Sequence, residues 1–286
     1  MNLSCCTPGA ESAPPKSTMM TTVTKGTALV TGASSGIGAI YADRLAHRGY
    51  DLILVARNHQ RLDRLAKQLS DDTGRSIEVV PADLGNKSDL ARVETLLRTD
   101  ASITLLLNNA GVGSTAALLD ADIQNMDGMI ALNVEALTRL TYAAAPGFVA
   151  RGGGSIINIS SISALAPEII LNGVYSATKA YVLVFSQSLH HELKDKGVQI
   201  QAVLPGATAS DFWDVAGIPL AKVPSHILMP VEEMVDAALA GFDQGEFVTI
   251  PSLPDISDWL AFEHARAHLT PNLSRSKAAD RYRRGV

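Results

Sequence analysis

Leu29-Val30-Thr31-Gly32-Ala33-Ser34-Ser35-Gly36-Ile37-Gly38 is an apolar run that breaks into three closely spaced glycines and then continues as Ile37, Ile40, Tyr41 and Leu45, with helical spacing. A strand that turns sharply into a helix fits this pattern. Small residues at such a turn let the backbone approach a pyrophosphate, whose charge is met by free N–H groups and by the positive helix terminus. Gly32, Ser34, Ser35, Gly36, Ile37 and Gly38 are therefore candidate nucleotide-binding residues.

The rest of the chain repeats the alternation. Short apolar, β-branched runs occur at 28–31, 52–55, 77–80, 103–107, 155–159, 200–204 and 247–250, separated by segments such as Leu62, Leu65 and Leu69 with helical spacing. Strands alternating with helices imply βαβ units and a parallel sheet covered on both faces. The expected fold is α/β, a single-domain doubly wound parallel sheet, Rossmann-like, in three layers. Ligands bind such sheets beyond the carboxyl ends of the strands, so function is sought in the loops that follow them.

With 286 residues, 47% hydrophobic and 19% charged, and a net charge of −5, the chain reads as an ordinary globular protein with no polyanion partner such as a nucleic acid. Its apolar runs are too short and interrupted to span a bilayer, and no membrane partner is expected. The two cysteines, Cys5 and Cys6, are adjacent, which suits neither a structural disulfide nor a metal site and fits a cytoplasmic setting. Residues 1–24, rich in Ser, Thr and Pro, read as a flexible leader, with Met19 or Met20 as an alternative start. The catalytic unit is expected at 25–251 and a helical extension at 252–286. There His264 and His268 share a face, but no third ligand is in register, so no metal is expected. Arg281, Arg283 and Arg284 form a short basic tail.

Tyr175 and Lys179 stand four residues apart and would share one face of a helix over 174–181. A cation beside a phenol favours the phenolate, which would let Tyr175 act as acid or base near neutral pH.

Together these motifs resemble those of the short-chain dehydrogenase/reductase family over most of residues 26–250. The family's Thr-Gly-x-x-x-Gly-x-Gly is matched by Thr31, Gly32, Gly36 and Gly38, its Asn-Asn-Ala-Gly by Asn108, Asn109, Ala110 and Gly111, and its Tyr-x-x-x-Lys by Tyr175 and Lys179. The resemblance implies that Asn133 kinks a long helix and holds a water against the lysine. It implies that Tyr175 donates a proton to the substrate oxygen, and that Lys179 lowers the tyrosine pKa and binds the nicotinamide ribose. Ser161 would hydrogen-bond the substrate carbonyl. Ser161 precedes Tyr175 by fourteen residues, one more than in many relatives; Pro167 keeps its usual distance, which puts the extra residue between Pro167 and Tyr175. Ser160 and Ser163 stay open as substitutes.

At the end of the second strand an NAD site presents an acidic residue, whereas this chain has Ala56 and Arg57, with Asp51 at the wrong end. NADP(H) is the expected cofactor, with Arg57 pairing the 2′-phosphate and stacking on adenine, assisted by Asn58 or Arg61. By resemblance, Asp83 and Leu84 border the adenine, Asn109, Ala110 and Gly111 the adjoining ribose, Pro205 and Gly206 the nicotinamide, and Thr208 its carboxamide. An apolar lid over 207–230, with Phe212, Trp213, Val215, Ile218, Leu220 and Val223, suits a hydrophobic carbonyl or secondary alcohol. The expected activity is hydride transfer between NADP(H) and that small-molecule substrate, in a homodimer or homotetramer. A cofactor-binding regulator without turnover, or an isomerase or dehydratase, is the alternative.

Overall fold

Strands buried on both faces lose the polar alternation of an exposed sheet and read as continuous apolar runs, and the structure bears this out. It is a computed structural model that describes residues 25–168 and 172–283. The leader with Cys5, Cys6, Met19 and Met20 lies outside the described residues, as do Arg284 and positions 169–171 between Pro167 and Tyr175.

Strands β1 (Thr27–Thr31), β2 (Asp51–Ala56), β3 (Ile77–Pro81), β4 (Ile103–Asn108), β5 (Gly154–Ile159), β6 (Val198–Val203) and β7 (Val248–Thr249) form one parallel sheet in the order β3-β2-β1-β4-β5-β6-β7. Alternate residues of each strand feed opposite cores. Ala28, Val30, Leu52 and Leu54 pack under helices α1 (Gly36–His47), α2 (His59–Thr73) and α8 (Val231–Asp243). Leu29, Ile53 and Leu106 pack under α3 (Lys87–Thr99), α5 (Leu137–Ala150) and α6 (Gly173–Leu193). Each large aliphatic side chain so buried contributes about 1.5–3 kcal/mol. The seventh strand is shorter than the run at 247–250 suggests, because only Ala202 and Val203 pair with it at the sheet edge.

The chain winds outward from β1 to β3, then crosses back to β4. The loops after β1 and β4 therefore diverge from a common crevice, the switch point at which doubly wound sheets bind ligands. Thr31 closes the base of this crevice: its hydroxyl donates to the Leu107 carbonyl (3.1 Å) and accepts from the backbone N–H groups of Asn109 and Ala110 (both 3.0 Å).

The glycines after β1 answer to two different demands. Gly32 (φ 68°) and Gly36 (φ 54°) occupy left-handed backbone that side chains disfavour. Gly38 is instead required by space, because a Cβ there would collide with the Gly32 carbonyl and the Asn109 carboxamide. Gly38→Ala should therefore force the turn open, costing about 1–3 kcal/mol of stability as overpacking does. It should also weaken dinucleotide binding; denaturant unfolding and a cofactor titration check the two effects.

Candidate active site

Helix α6 begins at Asn172, whose carboxamide oxygen accepts from the Val174 N–H (2.8 Å), and it carries Tyr175 and Lys179 in its first two turns. Its position on the sheet is fixed by polar contacts. The Ser160 hydroxyl donates to the Lys179 carbonyl (2.7 Å), the Lys179 ammonium donates to the Ile159 carbonyl (2.9 Å), and the Asn158 carboxamide donates to the Ser186 hydroxyl (3.0 Å). Ser160 is thus a satisfied hydroxyl at a strand end, turned to the backbone of α6.

Ser161 caps the short turn Ile162–Ala164, its hydroxyl accepting from the Ser163 N–H (3.2 Å), and it stands near enough to the Tyr175 phenol to favour its ionised form. Ser163 is buried, and among the described residues its hydroxyl has no partner. Of the three serines, Ser161 alone engages the tyrosine.

Asn133 lies in a wide π-helical turn, Ala131–Ala136, between α4 (Ile123–Ile130) and α5. The side chain is 2% exposed; it accepts from the Val112 N–H and donates to the Val112 carbonyl (both 2.9 Å) and to the Thr178 hydroxyl (3.1 Å). Asn133 therefore ties the β4 loop to α6. A Cβ on Gly111 would lie 3.1 Å from its Oδ1 and 3.6 Å from the Lys179 Nζ, so both side chains border this loop. Thr178, the third partner, carries no motif and was invisible to the sequence reading.

The electrostatics depart from expectation. Tyr175 and Lys179 are 5% and 6% exposed, and burial dominates both. Desolvation pushes the phenol up to about 12, with the nearby Ser161 hydroxyl working against it, and pushes the Lys179 ammonium down to about 8. The phenol is not held ready to ionise near neutral pH, as the i, i+4 spacing suggested. The Lys179 Nζ stands 5.7 Å from the centre of the Tyr175 ring and spends a hydrogen bond on Ile159, so loss of water outweighs the attraction between the two groups. A protonated tyrosine is a proton donor, which suits carbonyl reduction.

These residues line one end of a cleft of about 600 Å³. Gly32, Ser34, Ser35, Gly36 and Ile37 form its floor, and Arg57, Asn58, Arg61, Asp83 and Leu84 surround the far end. Asn109, Ala110, Gly111, Pro205, Gly206 and Thr208 also border it, whereas Gly38 lies just beneath, supporting the turn. Three side chains are already committed. The Asn109 carboxamide donates to the carbonyls of Thr31 (2.9 Å) and Gly32 (3.3 Å), making it a brace across the crevice. The Asn58 oxygen caps α2 by accepting from the Arg61 N–H (3.0 Å). The Thr208 hydroxyl donates to the Gly206 carbonyl (3.1 Å).

The segment after Gly206 folds over the cleft around α7 (Phe212–Ala216). The Trp213 indole donates to the Thr208 carbonyl (2.9 Å), and the Phe212 ring lies 5.7 Å from that of Tyr175. Phe212 also fills the space over Gly113 that a Cβ would need. Trp213 and Val223 are buried, but Val215 is exposed and stands apart from that packing. At the C-terminus, α9 (Ile256–Leu269) buries Trp259 and leaves Leu260, Phe262, His264 and His268 exposed. Among the described residues no helix is long and apolar enough to cross a membrane.

Residues 26–217 match the family model described as short chain dehydrogenase. The very-long-chain 3-oxoacyl-CoA reductase of Anas platyrhynchos is 36% identical over 194 residues, 66% of this chain and 62% of that protein. The match to its counterpart in Bos taurus spans 58% of that protein, so the chain covers less than two thirds of the length of either. Among solved structures, a short-chain dehydrogenase from Sphingobium yanoikuyae in complex with NADPH superposes with a TM-score of 0.87 at 48% identity, over 90% of this chain and 100% of that one. The bulky-bulky ketone specific alcohol dehydrogenase from Comamonas testosteroni gives 0.84 at 45% identity, over 92% and 100%. A glycine turn after β1, a tyrosine and lysine set on α6 and a family match over most of the chain have one common explanation: this protein belongs to the short-chain dehydrogenase family.

Proposed function

We propose that the protein is an NADP(H)-dependent carbonyl reductase or alcohol dehydrogenase acting on bulky hydrophobic ketones or the corresponding secondary alcohols. The observation that carries this reading is one cleft lined both by the buried Tyr175 phenol with Lys179 and by Arg57 and Arg61. The glycine turn fits a dinucleotide: Gly32, Ser34, Ser35, Gly36 and Ile37 line the cleft, and the turn is packed so closely on Asn109 and its own backbone that Gly32 and Gly38 admit no side chain. No carboxylate follows β2 to claim a ribose 2′-hydroxyl, and Arg57 stands there instead, which suits a 2′-phosphate. NADP(H) is the cofactor, as in the Sphingobium structure with NADPH. Arg57 and Arg61 would hold its phosphate and Lys179 its nicotinamide ribose.

When bound, NADPH supplies the hydride. Tyr175 gives its proton to the oxygen that becomes the alcohol, and Ser161 hydrogen-bonds that oxygen as charge develops on it. Asn133 holds the β4 loop and α6 in register, which keeps Tyr175 and Lys179 in place. Phe212 and the rest of the 207–230 lid supply an apolar wall that excludes water. Residues 25–251 form the catalytic unit and 252–286 an extension from it. Exposed Tyr142 and Val184 on α5 and α6, with Leu260 and Phe262 on α9, support a homodimer or homotetramer.

Following nicotinamide absorbance with NADPH and NADH across aliphatic, aromatic and diaryl ketones tests the proposal. Oxidation of NADPH with the bulkier ketones, at least about tenfold faster than of NADH, is the expected result, and Arg57→Glu should reverse the preference. Cofactor binding without turnover on any carbonyl would instead favour a regulatory protein.

A further inference from the structure

Arg61 in the first turn of α2 and Asp211 just before α7 are 150 residues apart, yet their side chains meet at 3.3 Å (Nη1 to Oδ2). Both line the cleft and both are exposed, so the pair lies on its solvent-facing side. Arg61 belongs to the end assigned above to the 2′-phosphate. Asp211 lies in the lid, just before α7: the next residue, Phe212, leans on the Tyr175 ring, and Trp213 is bonded to Thr208. One ion pair therefore joins the cofactor end of the cleft to the element that covers the reacting end.

A 2′-phosphate carries about −1.5 to −2 charges at pH 7, more than a carboxylate, and offers a guanidinium the stronger partner. We infer that Asp211 is a specificity-determining residue for the cofactor, holding Arg61 for the lid so that a 2′-phosphate must compete for it. A dinucleotide without that phosphate leaves Arg61 on Asp211. A phosphorylated one draws Arg61 away and frees the lid at Asp211. Exposed ion pairs are weak, so the competition should cost a 2′-phosphate no more than about fivefold in affinity. That is enough to adjust cofactor preference without deciding it, a task left to Arg57.

The inference rests on the reading of Arg57 and Arg61 as the phosphate end. Full-length protein titrated calorimetrically with 2′,5′-ADP and with 5′-AMP separates the two ideas. Asp211 is exposed and its side chain caps nothing, so Asp211→Asn leaves the fold intact. This variant should bind 2′,5′-ADP up to about fivefold tighter with 5′-AMP unchanged. In an Arg61→Gln background, which should itself weaken 2′,5′-ADP, the gain should vanish. Equal tightening toward both ligands, no tightening, or a gain that survives the loss of Arg61 would overturn the latch. A wild-type protein that bound 5′-AMP as tightly as 2′,5′-ADP, which differs from it only by the 2′-phosphate, would overturn the phosphate assignment and the latch with it.

Discussion

Tyr175→Phe is expected to lower the rate of carbonyl reduction by about 10²- to 10⁴-fold while leaving NADPH affinity close to wild type. The substitution removes one oxygen from a ring that packs against Phe212, Met126 and Met129, and the packing survives without it. What disappears is the proton donor. Burial raises the phenol's pKa and so favours the protonated, donating form. Single-turnover rates and a fluorescence titration with NADPH on the same preparation separate chemistry from binding. Normal turnover in the phenylalanine variant would remove Tyr175 from the reaction.

Lys179→Met should cost at least about 10²-fold in activity, yet affect stability in a way that depends on pH. Burial lowers the folded-state pKa of Lys179 to about 8 from the usual 10.5. Between those values the unfolded chain holds a proton that the folded chain has released, so this group makes stability rise with pH. Its contribution is fully present above 10.5 and is lost as pH falls through 8. Methionine has no such term. The difference in unfolding free energy between the two proteins should therefore move by about 3 kcal/mol in favour of wild type from pH 7 to pH 10.5. The variant also leaves the Ile159 carbonyl without its donor, a penalty of about 1–3 kcal/mol that does not vary with pH. Denaturant titrations at both pH values measure the change directly. A constant difference would mean that the ammonium is not desolvated as its burial requires.

The glycine turn, the strand runs and the tyrosine–lysine pair were legible because each is written in neighbouring residues. A strand buried on both faces must be apolar along its length, and a turn that meets Asn109 and Gly32 so closely admits only glycine at position 38. Asn133 was legible only through resemblance, since the motif Leu132-Asn133-Val134 does not reveal that Val112 and Thr178 are its partners. Asn109 and Asn58 were expected beside the dinucleotide, and both line the cleft. Their carboxamides also brace the crevice and cap α2, because a buried or helix-starting amide is first claimed by the nearest backbone groups. Among the serines, spacing left Ser160, Ser161 and Ser163 open, and only the direction of each hydroxyl after folding separated them.

From the chain alone came the doubly wound sheet, the family and the end of the cleft that suits a phosphorylated ribose. These follow from local periodicity and from backbone positions that few residue types can occupy. Tertiary structure decided the burial of Tyr175 and Lys179, which raises the pKa of one and lowers that of the other, and the meeting of Arg61 with Asp211. Desolvation and long-range contact depend on what segments far apart in the chain bring together, and no spacing within one segment records it.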